Sequence, residues 1–489
     1  MVLVAGIDSS TQSCKVLILE AATGKLVRSG RAGHPDGTEV DPNLWWRALE
    51  DAIADAGGLA DVAAVSVAGQ QHGMVLLDAA GEVIRPALLW NDTRSAGAAS
   101  ALVAEIGADA LARRCGSVPV ASITATKLRW VRDNEPGNAA RVAAVTLPHD
   151  WLSWRLRGYG PGGSPLGPDL EALVTDRSDA SGTGYFSPRE NAYDLDLFET
   201  ALGRPAREAS TTAAEPERRI VLPRVAAPWE DIGAVHPALF EGVGDGAVRV
   251  GPGAGDNAAG ALGLGAAAGD VVVSVGTSGT VFAVSAASAA DPTGTVAGFS
   301  DASGAFLPIA VTLNAARVLS TMAEVLGVDF DGLATLALAA APGSSGVVLL
   351  PWFEGERTPN LPEATASFHG LSIASSTREN FARAAIEGML CGLAGGLDAI
   401  TAMDVPVERI LLIGGAVQNT AVQVVAGQVF DAPLVVPQPG EYVARGAAVQ
   451  AAWVVDGRRP AWKVATVESP PADFRPEIRA QYRQAAFAR

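Results

Sequence analysis

The chain opens on alternating and continuous apolar runs that read as strands. "MVLVAGIDSS" is strand-like, "STQS" is a turn, and "CKVLILEAATGKLVRSG" continues as two strands around the "TGK" turn. "DPNLWWRALEDAIADAG" then changes to helical spacing, with Asp41 placed to cap the helix and Pro42 at its first position. "VAAVSVAGQQHG" follows as a buried strand that ends in a polar loop. The opening pattern recurs far downstream. "DVVVSVGTSGTVFAVSAAS", from Asp270, is again strand, small-residue turn, strand, and its "VGTSGT" occupies the place of "IDSSTQ". An internal repeat of this kind predicts two related α/β domains. Two ordinary hairpins with turn-forming residues would give the same local pattern. The second domain is expected to begin near Ala247 with the strand "AVRVGPGAG", giving domains 1–246 and 247–489. Between the halves, "RGYGPGGSPLGPD" (157–169) reads as an exposed loop and 203–233 as an extended connection.

Composition narrows the function classes. The 489 residues carry 36 Lys plus Arg against 53 Asp plus Glu, a formal net charge of −17. Such a chain repels nucleic acid and anionic membranes, so small-molecule partners are expected. Asp8 follows the first apolar residues at once, which does not suit a secretory leader. No uninterrupted apolar run reaches the ~18 to 20 residues of a membrane span. The 3 cysteines are far apart and fit a reducing cytoplasm, and the 5 histidines form no HxxxH or HxH pair.

Several polar residues interrupt apolar surroundings where chemistry could sit. Asp8 ends a buried strand before small polar residues, a place for holding Mg²⁺ beside a phosphate or for closing an Asx turn. "GTSGT" (276–280) lets backbone amides approach an anion, although it lacks the lysine of a Walker A loop. "RILLIGGAVQN" (409–419) runs a strand into a double glycine against which a base or ribose could lie. A plain turn needing positive φ has the same look. Gln71 and His72 in "GQQHGMV" suit sugar hydroxyls, since amide and imidazole both donate and accept; a satisfied core histidine is the plainer reading. "LLWNDTRS" adds a polar cluster that could line the same cleft or cap a helix. In "GPGAGDNAAGALGLG" (251–265), Asp256 and Asn257 stand alone among small residues. Asp256 fits either a helix cap or a general base.

Together these pieces resemble the FGGY family of carbohydrate kinases. "SITATKLRWVRDN" (122–134) is similar to the first family signature and "ASFHGLSIASSTRENFARAAIE" (366–387) to the second. "GQQHG", "LLWNDTR", "LPHDWL", "SDASGT" and "GERTP" resemble most the branch that phosphorylates D-xylulose. The resemblance implies two actin-like, ribonuclease H-like ATPase domains facing each other across a cleft, with ATP and Mg²⁺ as cofactors. It implies Asp256 as catalytic base, and Gln71, His72, Asn257 and Arg141 as sugar contacts. It implies Asp8 for Mg²⁺. Thr11, Lys15, Gly276 and Thr277 would face phosphates, and Gly414, Gly415 and Asn419 the adenosine. The Gly/Pro-rich insert near 158–172 departs from the family pattern and could reshape a surface loop or the cleft rim. A kinase of another ketose or polyol, a non-catalytic sugar sensor and an actin-like filament protein share the fold. The presence of both Asp8 and Asp256 argues against the sensor. The oligomeric state is open, a homodimer among the options.

Overall fold

The computed structural model describes residues 1–210 and 219–487. Strands β1 (Leu3–Ser9), β2 (Ser13–Glu20) and β3 (Leu26–Gly33) form the antiparallel meander expected from the opening pattern. The two-residue period of β1 divides its side chains between two cores. Leu3, Ala5 and Ile7 pack with Trp45 and Leu49 of helix α1 (Pro42–Asp55), whose cap is Asp41, accepting from the Asn43 amide. Val4 faces the opposite way, into the core that contains Ala447 and Ala448. Strand β4 (Val62–Gly69) runs parallel to β1.

The "AVRVGPGAG" segment does not open a new sheet. Its strands β5 (Arg249–Val250) and β6 (Ala254–Gly255) both pair in parallel with β4. A buried strand needs ladder partners on both sides, and β4 finds its second partner here. Helix α2 (Asp256–Gly263) starts directly from β6. The sheet order is β5-β4-β1-β2-β3, with β6 also on β4.

The second half repeats the plan. Its sheet contains β7 (Asp270–Val275), β8 (Gly279–Ala283), β9 (Ala297–Ser300), β10 (Phe306–Thr312), β11 (Arg409–Ile413) and β12 (Leu434–Val435), in the order β9-β10-β8-β7-β11-β12. As in the first sheet, antiparallel strands, here four in the order β7-β8-β10-β9, are extended by parallel strands added beside the first of them. The turns after β1 and β7 are therefore equivalent, as the repeated pattern predicts. Helix α3 (Arg378–Thr401) packs on β8 and β10. Among the described residues it is the one helix long and apolar enough to cross a membrane, but 72% of its most apolar stretch is buried inside the protein.

Helix α4 (Tyr442–Asp456) leaves the second half and packs on β1, β4 and α2. Missing side chains make this approach possible. A Cβ on Gly6 would lie 1.9 Å from the Ala444 carbonyl oxygen, one on Gly263 2.0 Å from that of Tyr442, and one on Gly446 1.8 Å from that of Ala259. Gly6→Ala should therefore cost more than the ~1 to 3 kcal/mol of ordinary overpacking, because the obstructing atoms are backbone. Denaturant titration checks this. A wild-type midpoint would show that α4 can lift without penalty.

The 157–169 stretch is a loop, as expected, closed by bonds from the Gly160 amide to Gly167 and from the Leu166 amide to Gly158. It packs against Gly81 and Trp154. Of the expected connection at 203–233, residues 211–218 lie outside the described residues. On either side of them, strands Ala206–Glu208 and Ile220–Leu222 pair in parallel, so the connection carries short strands.

Candidate active site

Three parallel strands of the first sheet end at one level. Asp8 of β1 pairs with Ala68 of β4, Ser9 with Gly69, and Gly69 with Gly255 of β6. Asp256 follows at once as the first residue of α2, two strand spacings or roughly 10 Å of backbone from Asp8. The cap of α2 is Gly255, and no side chain caps the helix, so Asp256 does not serve as its N-cap. Its Oδ1 accepts from the Asn257 amide (2.8 Å) and Asn257 Nδ2 (3.1 Å), while its Oδ2 takes no bond among the described residues. Burial first, then the charge of Asp8, push its pKa from 3.8 up to about 7. A carboxyl poised near neutrality, with one free oxygen at a strand end, can take a proton from an alcohol.

The glycines around Asp256 have identifiable neighbours. Gly253 has φ +90°, and a Cβ there would fall 2.1 Å from the His149 ring and 2.8 Å from the Val67 carbonyl. A Cβ on Gly255 would lie 2.7 Å from Gln71. Gln71 is buried, accepts from Asn257 Nδ2 (3.4 Å), and donates to the Ser178 carbonyl (3.4 Å). The structure thus brings Gln71, Asn257 and Asp256 into one contact set.

His72 stands beside them in an unusual backbone conformation, φ +68°. Lys127 Nζ (2.7 Å) and Thr124 Oγ1 (3.2 Å) both donate to its carbonyl. Its ring Nδ1 lies 2.6 Å from the Gly182 carbonyl, which can only accept. The proton therefore sits on Nδ1, leaving Nε2 as an acceptor for a hydroxyl. Burial, then the charges of Lys127 and Arg357, hold the imidazole pKa down at about 3, so the ring stays neutral. Phe299 of β9 tilts against it at 5.5 Å between centroids, placing the second half over this side chain.

Asp8 is 3% exposed. Ser10 Oγ donates to it, Lys15 Nζ is 3.7 Å away, and no backbone amide among the described residues bonds its carboxylate, so it closes no Asx turn. Burial pushes its pKa from 3.8 up to about 6, against the hydrogen bond from Ser10 and the charge of Lys15. The buried Ser9 Oγ next to it has no hydrogen-bond partner among the described residues. This donor set, all oxygen, fits Mg²⁺. Lys15 also pairs with Glu441 (2.7 Å). Thr11 Oγ1 accepts from Trp90 Nε1 (2.8 Å) and donates to Gln70 (3.4 Å), at the turn between β1 and β2.

In the second half, Gly276 and Thr277 occupy the turn after β7, and Gly414 and Gly415 follow the adjacent strand β11. Gly414 has φ +109°, and a Cβ would lie 2.4 Å from the Val275 carbonyl, so the double glycine lies against the turn that holds Gly276. These four residues converge. Asn419 is committed differently: its Oδ1 caps the helix Thr420–Val429 and its Nδ2 donates to the Phe330 carbonyl.

Arg141 is not brought to this site. It is exposed and pairs with Asp78 (3.0 Å). Asp78 follows the strand Val75–Leu77 at the end opposite to His72, and an arginine expected on the sugar is instead a surface ion pair. The Gly/Pro-rich insert packs on Gly81 at that same far end, away from the cleft rim. The groups that sequence reasoning missed are mostly backbone carbonyls, those of Ser178 and Gly182, together with Lys127 and Thr124 as holders of His72. Lys127 had been visible only as part of a signature.

Known proteins resemble this chain over most of its length. Residues 3–263 match the family model for the N-terminal domain of the FGGY family of carbohydrate kinases, and residues 271–455 match the model for its C-terminal domain. The xylulose kinase of Streptomyces coelicolor is 45% identical over 462 residues, covering 93% of this chain and 88% of the relative. That of Escherichia coli is 34% identical over 433 residues, covering 85% and 82%. The crystal structure of xylulose kinase from Bifidobacterium adolescentis superimposes with a TM-score of 0.91 at 45% identity, covering 99% of each chain.

Proposed function

Because this chain belongs to the FGGY family of carbohydrate kinases, we propose that it transfers the γ-phosphoryl group of ATP to the 5-hydroxyl of D-xylulose. The observation that carries the reading is the grouping of Asp256 with Gln71, His72 and Asn257, level with Asp8 at the strand ends. Relatives named xylulose kinase supply the substrate.

In this reading the sugar is held by groups of fixed polarity. Neutral His72 offers Nε2 as an acceptor, and Gln71 and Asn257 supply amide groups that donate and accept. Asp256 accepts the proton of the attacking hydroxyl as its oxygen bonds to the γ-phosphorus, and the bond to the β-phosphate oxygen breaks to release ADP. The proton leaves late in a loose transition state, so alignment matters more than basicity. The turn at Gly276 and Thr277 and the double glycine at 414–415 would cradle the nucleotide. Mg²⁺, held through Asp8, would neutralise phosphate charge. Phe299 over His72 would help exclude water, which otherwise competes for the phosphoryl group.

Coupled ADP-release assays across ketoses, aldoses and polyols test the assignment. D-xylulose should give the highest kcat/KM. A higher value for glycerol or gluconate would overturn the sugar while leaving the kinase chemistry in place.

A further inference from the structure

Beneath Gln71 and His72 lies a buried charge cluster that phosphoryl transfer does not use. His149, in the first turn of the helix Pro148–Leu156, is fully buried. Its Nδ1 is 2.7 Å from Asp179 Oδ2, and its Nε2 is 3.1 Å from Asp150 Oδ1 and 3.9 Å from Asp176 Oδ1. All three acids are buried. The ring stands between them, one nitrogen toward each side: Nδ1 makes the hydrogen bond to Asp179, while Nε2 and the facing Asp150 Oδ1 make none among the described residues, so Asp179 is the acid to which the ring is tied. Burial opposes a charged ring, but the three carboxylates outweigh it and raise the imidazole pKa well above its ordinary value. Gly69 and Gly253 make room for this side chain: a Cβ on Gly69 would lie 3.0 Å from His149 Cβ, and one on Gly253 2.1 Å from its Cδ2.

Asp179 belongs to the turn Arg177–Ala180, which continues as Ser181–Thr183. That turn bonds Gln71, His72 and the residue before Asp256. The Ser178 carbonyl accepts from Gln71, the Gly182 carbonyl accepts from His72 Nδ1, and Ser178 Oγ accepts from the amide of Gly255 (3.1 Å), the residue before Asp256. Its far side is tied to the second half, where Ser181 Oγ accepts from the Ser300 amide (2.9 Å) and Arg177 donates to the Ala305 carbonyl. His149 is the attachment on the near side.

We propose that the His149–Asp179 ion pair is the positioning element of the sugar site, seating the 177–183 turn so that its carbonyls set Gln71 and His72 against Asp256. The inference rests on the reading in which Gln71 and His72 bind sugar. Neither His149 nor Asp179 touches substrate. Loss of the pair lets the turn shift, and the sugar contacts loosen while the nucleotide side, built on β7 and β11, is unaffected.

Calorimetric titration of D-xylulose and of a non-hydrolysable ATP analogue, with kcat and KM for each substrate, tests this on four variants. His149→Gln removes the charge. Asp179→Asn keeps a hydrogen bond to a neutral ring. Gly182→Ala leaves the cluster intact but places a methyl 2.7 Å from His72 Nδ1. His72→Ala probes the sugar contact itself. In His149→Gln and Gly182→Ala the sugar Kd and KM should rise about tenfold, the equivalent of one or two lost hydrogen bonds. The nucleotide Kd should stay within about twofold, and Asp179→Asn should fall between these variants and wild type. Unchanged sugar affinity in folded His149→Gln, or parallel loss of both ligands, overturns the proposal. If His149→Gln does not fold, Asp179→Asn decides: a rise in sugar Kd with nucleotide Kd unchanged supports the proposal, and unchanged sugar affinity overturns it. If His72→Ala weakens sugar while His149→Gln and Gly182→Ala do not, the positioning role alone fails. If His72→Ala binds sugar normally, the sugar site was misplaced and the proposal falls with it.

Discussion

Asp256→Asn should fold, bind both substrates and transfer phosphate roughly a hundred to ten thousand times more slowly, the range of a lost general base. The helix it begins does not depend on its charge, since Gly255 is the cap and Oδ1 already accepts from its neighbour's amides. Asparagine preserves the size of the side chain and one carbonyl oxygen. What it cannot do is take a proton. The same substitution has a stability signature. The carboxyl is held at about 7 in the folded protein, against 3.8 ordinarily. The folded state therefore binds more protons than the unfolded one between these values. Its contribution to stability is fully present below 3.8 and is lost as pH rises through about 7. Removing the group should flatten the ligand-free stability profile across that window and leave the variant relatively more stable at pH 8 than at pH 5. Parallel thermal melts and single-turnover kinetics read both effects. Retained kcat in the folded variant would falsify the base assignment.

What could be read in advance was set by local pattern. The continuous apolar runs in "LVAGIDS" and "DVVVSV" mark β1 and β7 as buried strands, and the repeated hairpin identifies two domains of one kind. Asp8 and Asp256 stand out because a lone acid in an apolar run has few uses. Pairing between distant segments left no such mark. The strand expected in "AVRVGPGAG" is two short strands, Arg249–Val250 and Ala254–Gly255, and nothing in the composition tells which sheet edge they complete, since β4 lies far upstream. Arg141 failed for a related reason: a surface arginine pairs with whatever acid the fold places nearby, here Asp78. The carbonyls of Ser178 and Gly182 carry no side-chain signal at all. The glycines of "GPGAG" make room for His149 and Gln71, which come from separate segments, so their neighbours appear only in three dimensions.

Asp8→Asn is expected to be the other severe change, lowering kcat about a hundredfold or more through lost charge stabilisation at the phosphates. The side chain is 3% exposed, yet among the described residues its carboxylate is bonded by Ser10 and faces Lys15 at 3.7 Å. A buried acid in a turn would normally accept from backbone amides, and none among the described residues reaches Asp8. Burial holds its carboxyl at about 6 against the hydrogen bond from Ser10 and the charge of Lys15, so the buried carboxylate is only partly compensated. A divalent cation supplies further positive charge; asparagine removes the negative charge that would hold it. Two readouts separate this from a packing defect. Mn²⁺-enhanced water relaxation with the ATP analogue should weaken in the variant even though nucleotide binding persists. Asp8 also raises the pKa of Asp256 by its charge, so the acid limb of the residual activity should move to lower pH. A variant that regains the wild-type profile at ordinary Mg²⁺ concentrations, with relaxation unchanged, would reduce Asp8 to the end of a strand.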